Sequence, residues 1–484
     1  MSTERPFANV PNKLWIGGEW RDSSDSSTFE VLDPGTGDLI AEVASASAAD
    51  ATLAVEVAHA AGEKWREVAP RQRAEILRRA LEVMIERRDE LATLIVLENG
   101  KAWEDAVGEV NYAAEFFRWY SEEAVRISGR LQMAPNGDKR ILVFNQPVGT
   151  SILVTPWNFP AAMATRKIAP ALAAGCACVL KPASDTPLTA LAVAQILHDV
   201  GLPDGVVNVL PARRSGEVVG TMLRHPLARK VSFTGSTEVG SVLLKQAADQ
   251  VLTASMELGG NAPLLVFESA DLDVAVAGAL VAKMRNGGQS CIAANRFIVH
   301  AAIKDEFAKR FSAAMSALPV GHGLDKSAKL GPMINPTAVS DMASIVGKAV
   351  DFGAKTLIGG QPIDRPGSYF PATVVVDIEP GNPILDYEIF GPVAPFITFE
   401  SEAEALQLAN STPFGLASYV FTGDTGQALR IAERIEAGMV GVNRGFISDP
   451  AAPFGGVKQS GLGREGGHEG IEEFLESKYV AIDW

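Results

Sequence analysis

The sequence predicts an α/β protein built around parallel sheets. Two observations carry this. From Cys176 onward, short apolar segments of strand length alternate with segments of helical length, the pattern of strand–helix–strand crossovers that cover a parallel sheet on both faces. The chain is also long, 484 residues, which at roughly 150 residues per domain corresponds to about three domain-sized units. No internal repeat, no long linker and no low-complexity tract longer than Ser23–Ser27 separates them. The domains are therefore expected to interleave.

The elements follow in order. The first third reads as mostly helical. Pro70 suits a first helical turn, and Ala74, Ile76, Leu77, Leu81, Met84, Ile85, Leu91, Leu94 and Ile95 recur at near-helical spacing up to an Asn99-Gly100 stop. Residues 141–155 read as two β segments broken at Pro147. Beyond them the spacing predicts a strand at Cys176–Leu180, a helix over Pro187–Val200, a strand at Val206–Leu210 and a helix over Ser215–Leu223. A strand at Lys230–Phe233 and a helix over Thr237–Ala248 complete this region, and a second alternating region runs from Pro263–Phe267 to about residue 440.

Composition excludes several classes. With 43 Lys+Arg against 58 Asp+Glu the net charge is −15, unsuited to coating nucleic acid, which needs a basic face. Three Cys in the chain do not make a disulfide scaffold and fit a reducing compartment. Met1–Val10 has no basic segment leading into an apolar stretch, and the longest apolar run, Ile168–Leu180, is broken by Pro170 and Gly175. A cytoplasmic enzyme without membrane or nucleic-acid partners is the expectation.

Several short motifs could carry chemistry. Gly235-Ser236-Thr237-Glu238-Val239-Gly240 lies between a strand and a helix, where glycines admit a phosphate and the helix N-terminus favours negative charge; such turns are also common without a ligand. Asn286-Gly287-Gly288-Gln289-Ser290-Cys291 places a thiol after a small-residue turn, open to a substrate or simply buried. Glu257 precedes a Gly-Gly turn, and Asn158 sits in Trp-Asn-Phe-Pro; each alone could be an ordinary solvated or structural group. Cys176 and Cys178 lie in an apolar strand without His partners, so no metal site is expected.

Together, Asn158, Lys181 in Lys-Pro-Ala-Ser, the 235–240 turn, Glu257, Cys291 and Glu388 in Glu-Ile-Phe-Gly-Pro stand in one order and spacing. In that arrangement the chain resembles the NAD(P)-dependent aldehyde dehydrogenase family. The resemblance runs from about Leu14 to the C-terminus, through Pro453-Phe454-Gly455-Gly456 and Ser460-Gly461-Leu462-Gly463-Arg464-Glu465. It implies a Rossmann-like cofactor domain over 1–128 and 148–256 and an α/β catalytic domain over 257–453. A small β oligomerisation arm and tail over 129–147 and 454–484 would complete a homodimer or homotetramer.

By the same resemblance Cys291 is the nucleophile, forming a thiohemiacetal and then a thioester. The Asn158 amide and the Cys291 N–H form the oxyanion hole, and Glu257 activates the deacylating water. Lys181 and Glu388 hold the two cofactor riboses, with Trp157, Ser184, Gly235, Ser236, Gly240 and Leu258 completing the cofactor site. Many NAD-preferring relatives carry Glu where this chain has Ser184, so NADP is the expected cofactor, with NAD accepted. Some relatives carry a second Cys two residues after the nucleophile; here that position is Ala293, and no local disulfide switch is expected.

Arg166, Arg285 and Ser448 match positions that bind a distal carboxylate in the succinate-semialdehyde branch of the family, which the chain resembles most. Two guanidinium groups suit a carboxylate and would be costly in an apolar pocket, although either could serve a structural salt bridge. The expected reaction is oxidation of succinate semialdehyde to succinate. Phe446, Asp449 and Pro450 depart from the branch's pattern around Ser448, which leaves glutarate semialdehyde, or broad specificity, as the alternative. A redox-free acyl-transfer enzyme leaves Lys181, the 235–240 turn and Glu388 unexplained together, and a CoA-acylating enzyme generally lacks the glutamate found at 257.

Overall fold

The computed structural model describes residues 11–483. Two large sheets form its frame. The first has eight strands in the spatial order Gly461–Leu462, Thr253–Glu257, Lys230–Thr234, Ser151–Val154, Cys178–Lys181, Val207–Val209, Leu14–Ile16 and Glu19–Arg21. The five from Thr253–Glu257 to Val207–Val209 run parallel, and the strands outside them are antiparallel. Along the chain the parallel strands step outward from Ser151–Val154, then return to its other side with Lys230–Thr234. That reversal is a switch point, and ligands of open α/β sheets bind beyond the carboxyl ends of such strands.

The second sheet has seven strands: Lys355–Ile358, Thr373–Val376, Val393–Phe399, Ala294–His300, Ala262–Val266, Ala417–Phe421 and Met439–Val442. All are parallel to their neighbours except Lys355–Ile358. Carboxyl ends of the first sheet meet amino ends of the second, because Asn158 lies in the loop after one strand of the first and Glu257 ends another, while Gly260 and Cys291 precede strands of the second. A three-stranded sheet, Leu475–Ile482, Arg140–Pro147 and Arg130–Met133, stands apart from both. Segment 454–484 thus divides, since Gly461–Leu462 closes the edge of the first sheet while Leu475–Ile482 joins the small one.

Much of the expected order is present. The helix over Thr237–Ala248 starts and ends where the spacing places it, and Gly100 closes its helix with φ 83°. Three differences have physical causes. The long periodic stretch from Pro70 is two helices, Pro70–Glu86 and Arg88–Asn99, because Arg87 leaves helical geometry (φ −92°, ψ 18°) and Asp89 and Glu90 suit a new N-terminal turn. Four strands precede the first helix, Ala48–Trp65; the first two have three residues each, too few to show a period, whereas Phe29 and Val31 alternate with exposed neighbours in Thr28–Leu32. The apolar run at 168–180 begins as the end of a fully buried helix, Pro160–Ala174, that carries Pro170 inside it. Among the described residues no helix is long and apolar enough to cross a membrane.

Candidate active site

The Cys291 loop follows from its glycines. Asn286, Gly287 and Gly288 take left-handed backbone in succession, with φ 53°, 60° and 80°, which reverses the chain after the helix Leu272–Met284. A Cβ on Gly288 would lie 2.2 Å from the carbonyl oxygen of Gly391, and one on Gly260 would lie 2.3 Å from that of Cys291. Only glycine admits these approaches. The Tyr419 hydroxyl donates to the carbonyl of Ile292 at 2.8 Å, anchoring the loop just past the thiol. Burial pushes the half-buried Cys291 thiol up to about 12, opposed by the Arg166 guanidinium and reinforced by Glu388 and Glu257.

Asn158 is buried beside it, its Nδ2 donating to the Gln289 carbonyl at 3.3 Å. An amide has two N–H donors, so one remains for a ligand next to Cys291.

Glu257 ends its strand with neither carboxylate oxygen hydrogen-bonded. Burial, and then the neighbouring Glu465, raise its carboxyl well above the ordinary range. Glu465 goes the other way. Its two oxygens meet Arg166 Nε and Lys167 Nζ, each at 2.5 Å, and these cations hold it below the usual carboxylate range despite its burial. Two adjacent carboxyls with opposed shifts mark the raised one as the candidate group for proton exchange.

Arg285 and Ser448 come together across 163 residues, the guanidinium Nη1 donating to the Ser448 hydroxyl at 3.1 Å. The guanidinium carbon lies 4.7 Å from the Phe159 ring centre, 4.9 Å from Phe446 and 5.6 Å from Tyr112. Among the described residues Arg285 has no carboxylate in ion-pair contact. Arg166 is differently placed. It is 1% exposed, ion-paired to Glu465, 3.1 Å from the Met163 sulfur and 4.3 Å over the Phe454 ring. The structural salt bridge left open by the sequence is therefore present at Arg166 and absent at Arg285.

A further set of groups, of which Glu388 lies within electrostatic reach of Cys291, is suited to a dinucleotide. Ser236 caps the helix Thr237–Ala248 by accepting from the Val239 N–H, beside Gly235. A Cβ on Gly240 would meet Leu258 at 2.4 Å, so the turn closes only around a bare backbone. Glu388 accepts from the Gly260 N–H at 3.0 Å, and burial raises its carboxyl to about 7. Trp157 packs edge-on against Phe390 at 5.4 Å. Burial lowers the Lys181 ammonium to about 8, with Asp185 opposing. Ser184 and Arg213 line one cavity of about 590 Å³. These donors, cations and bare turns fit an anionic dinucleotide.

The structure thus brings Glu257 and Glu388 within electrostatic reach of Cys291 and ties Asn158 to the loop that leads into it, while Arg285 and Ser448 form a separate polar group within an aromatic wall. Sequence reasoning missed Lys101, Glu109, Tyr112, Arg213 and the network role of Glu465. One signal was available: Asp105, Glu109 and Tyr112 recur four and three residues apart on the helix Trp103–Glu123, a polar stripe on a face that also carries buried Phe116 and Phe117.

A sequence model of the aldehyde dehydrogenase family matches residues 20–480. A succinate-semialdehyde dehydrogenase of Paenarthrobacter nicotinovorans is 53% identical over 444 residues, 92% of this chain and 99% of that protein. A glutarate-semialdehyde dehydrogenase of Pseudomonas putida is 46% identical over 470 residues, 97% of each chain. The solved structure of an NADP-dependent enzyme of Escherichia coli superposes with a TM-score of 0.97 at 44% identity, covering 98% of both chains.

Proposed function

The chain belongs to the aldehyde dehydrogenase family, and from that premise we propose that it oxidises succinate semialdehyde to succinate with NADP. One observation carries the substrate reading. Arg285, bonded to Ser448 inside an aromatic wall, is in ion-pair contact with no carboxylate, Asp105 acting on it only from beyond that range. A partly buried guanidinium in that state is incomplete until an anion arrives. The substrate's distal carboxylate supplies the charge, and its aldehyde end then points to Cys291. Arg166, already paired with Glu465, contributes its field to the pocket.

The chemistry follows from the side chains. Cys291 Sγ bonds to the aldehyde carbon, and the carbonyl oxygen becomes an oxyanion held by the free Asn158 N–H and the Cys291 backbone N–H. Loss of one such donor typically costs about 10²–10³ in rate. Bound NADP supplies the two-electron acceptor for the oxidation. The resulting Cys291 thioester is hydrolysed by a water whose proton Glu257 takes, a role typically contributing about 10²–10⁴-fold. Glu465 assists by occupying Arg166 and Lys167, which leaves Glu257 without a cation in direct contact and its carboxyl raised.

For the cofactor, the Gly235–Gly240 turn, including Ser236, would present its helix N-terminus to the pyrophosphate. Glu388 would accept from the hydroxyls of the nearer ribose, and Trp157 and Leu258 would wall the site. Lys181, Ser184 and Arg213 would hold the adenosine ribose, where two cations and a neutral hydroxyl, set against Asp185, would favour a 2′-phosphate. We assign 1–128 and 148–256 to cofactor binding and 257–453 to catalysis. The three-stranded sheet, whose outer strand exposes Leu131 and Met133, is assigned to self-association as a dimer or tetramer, in the reducing compartment that three free thiols suit.

Glutarate semialdehyde, one methylene longer, satisfies the same Arg285–Ser448 grip, and the Pseudomonas putida relative supports it as the second reading. Steady-state kcat/KM values for succinate, glutarate, propion- and benzaldehyde-type substrates, each with NAD and NADP, test the proposal. The largest value is expected for succinate semialdehyde with NADP; a larger value for any uncharged aldehyde would overturn it.

A further inference from the structure

Asn286 is buried, with left-handed backbone (φ 53°, ψ 37°). Its side-chain amide donates to two carbonyls at once, that of Asn158 at 2.9 Å and that of Gln289 at 3.1 Å. The first belongs to the loop that carries the Asn158 amide, and the second to the loop that leads into Cys291. Both N–H donors of one amide are therefore spent on tying these two loops together. The backbone of Asn286 is itself held, its N–H donating to Asp105 Oδ2 at 2.9 Å. A second donor, Lys101 Nζ, meets the Asn158 carbonyl at 2.8 Å and is ion-paired with Glu109. Glu109 in turn accepts from the Ala161 N–H at 2.9 Å, at the start of the next helix.

We infer that Asn286 is a positioning residue that sets the separation of the two oxyanion donors, the Asn158 amide and the Cys291 N–H. The inference deepens the proposed mechanism and rests on those two groups being the donors. The physical reason is geometric. Such donors act only when they lie about 2.7–3.1 Å from the place the oxygen will occupy, and a displacement of about 1 Å can cost about 10²-fold. Asparagine meets three demands together: low cost in left-handed backbone, a short reach, and two N–H donors. Glycine meets only the first. Aspartate meets the first two but turns acceptor oxygens toward two carbonyls.

The test is the rate of the first turnover, read as the burst of reduced cofactor on mixing enzyme, cofactor and aldehyde. It compares the wild type with Asn158→Ala, Asn286→Gly, Asn286→Asp and the double variant Asn158→Ala/Asn286→Gly. Propionaldehyde replaces succinate semialdehyde if the latter is not a substrate, so the substrate reading can fail without touching this one. Asn286→Gly is expected to slow the burst about 10- to 100-fold while the cofactor dissociation constant stays within about twofold of wild type. Asn286→Asp should slow it at least as much. Because Asn286 acts through Asn158, the double variant should be no slower than Asn158→Ala alone. A burst within about twofold of wild type for Asn286→Gly or Asn286→Asp, or losses that multiply in the double variant, would overturn the inference. If Asn158→Ala itself bursts like wild type, the oxyanion assignment fails first and takes this inference with it.

Discussion

Arg166 Nε and Glu465 Oε2 form an ion pair at 2.5 Å, both side chains almost wholly out of water. With Lys167 on the other oxygen of Glu465, the pair closes a charge network within electrostatic reach of Glu257. Removing one member of such a pair leaves an uncompensated buried charge, typically about 3–5 kcal/mol. Arg166→Ala should therefore lower the thermal midpoint clearly and slow charged and uncharged aldehydes alike. A variant as stable as wild type that loses only succinate semialdehyde would instead place Arg166 on the substrate.

The nucleophile and the base should separate kinetically. Cys291→Ala is expected to abolish turnover without unfolding the protein. Glu257→Gln should release about one equivalent of reduced cofactor in a burst and then stall at the thioester. Continuous turnover by the Glu257→Gln enzyme at the wild-type rate would remove Glu257 from deacylation. Since position 293 is Ala, mild oxidation should modify Cys291 without forming a disulfide at the site, as mass analysis of the peptide would report.

Both groups must lose a proton to act, and burial raises both. Below its pKa the thiolate fraction of Cys291 grows about tenfold per pH unit. The acylation rate should therefore climb from about pH 6 to about pH 9, and deacylation should climb as Glu257 ionises. In Glu257→Gln the deacylation limb should vanish while the acylation limb remains. Rates independent of pH over that range would contradict the assignment of either group.

Cofactor choice should turn on the Ser184 cavity. Ser184→Glu brings a carboxylate to the 2′-phosphate and should shift the ratio of kcat/KM values toward NAD. Lys181 is cationic below about 8, so NADP affinity should weaken more than NAD affinity as pH rises past that value. Titration by cofactor fluorescence at several pH values checks both. A wild-type enzyme that clearly prefers NAD would refute the NADP assignment.

Local signals carried over well from sequence to structure. The helix over Thr237–Ala248 and the glycine stop at Gly100 are where spacing and punctuation place them, because each depends on residues within one or two turns. The groups that tune the site were not legible. Lys101 reaches the Asn158 carbonyl across 57 residues, and Glu465 reaches Lys167 across 298. Such partners carry no local pattern; only the fold brings them together. Arg285 and Ser448 were legible as types, but only their 3.1 Å contact, with no carboxylate in ion-pair contact, separates Arg285 from Arg166.

The claim that matters most is that Arg285 reads the distal carboxylate of the substrate. Truncating one member of a buried charge pair typically costs about 2–5 kcal/mol, or roughly 30- to 4,000-fold at about 1.4 kcal/mol per decade. The decisive measurement is kcat/KM of Arg285→Ala for succinate semialdehyde and for butyraldehyde, its uncharged counterpart of equal carbon number. A loss in that range for succinate semialdehyde, with butyraldehyde far less affected, is the expected result; equal losses for both would show that Arg285 supports the structure and does not read the carboxylate.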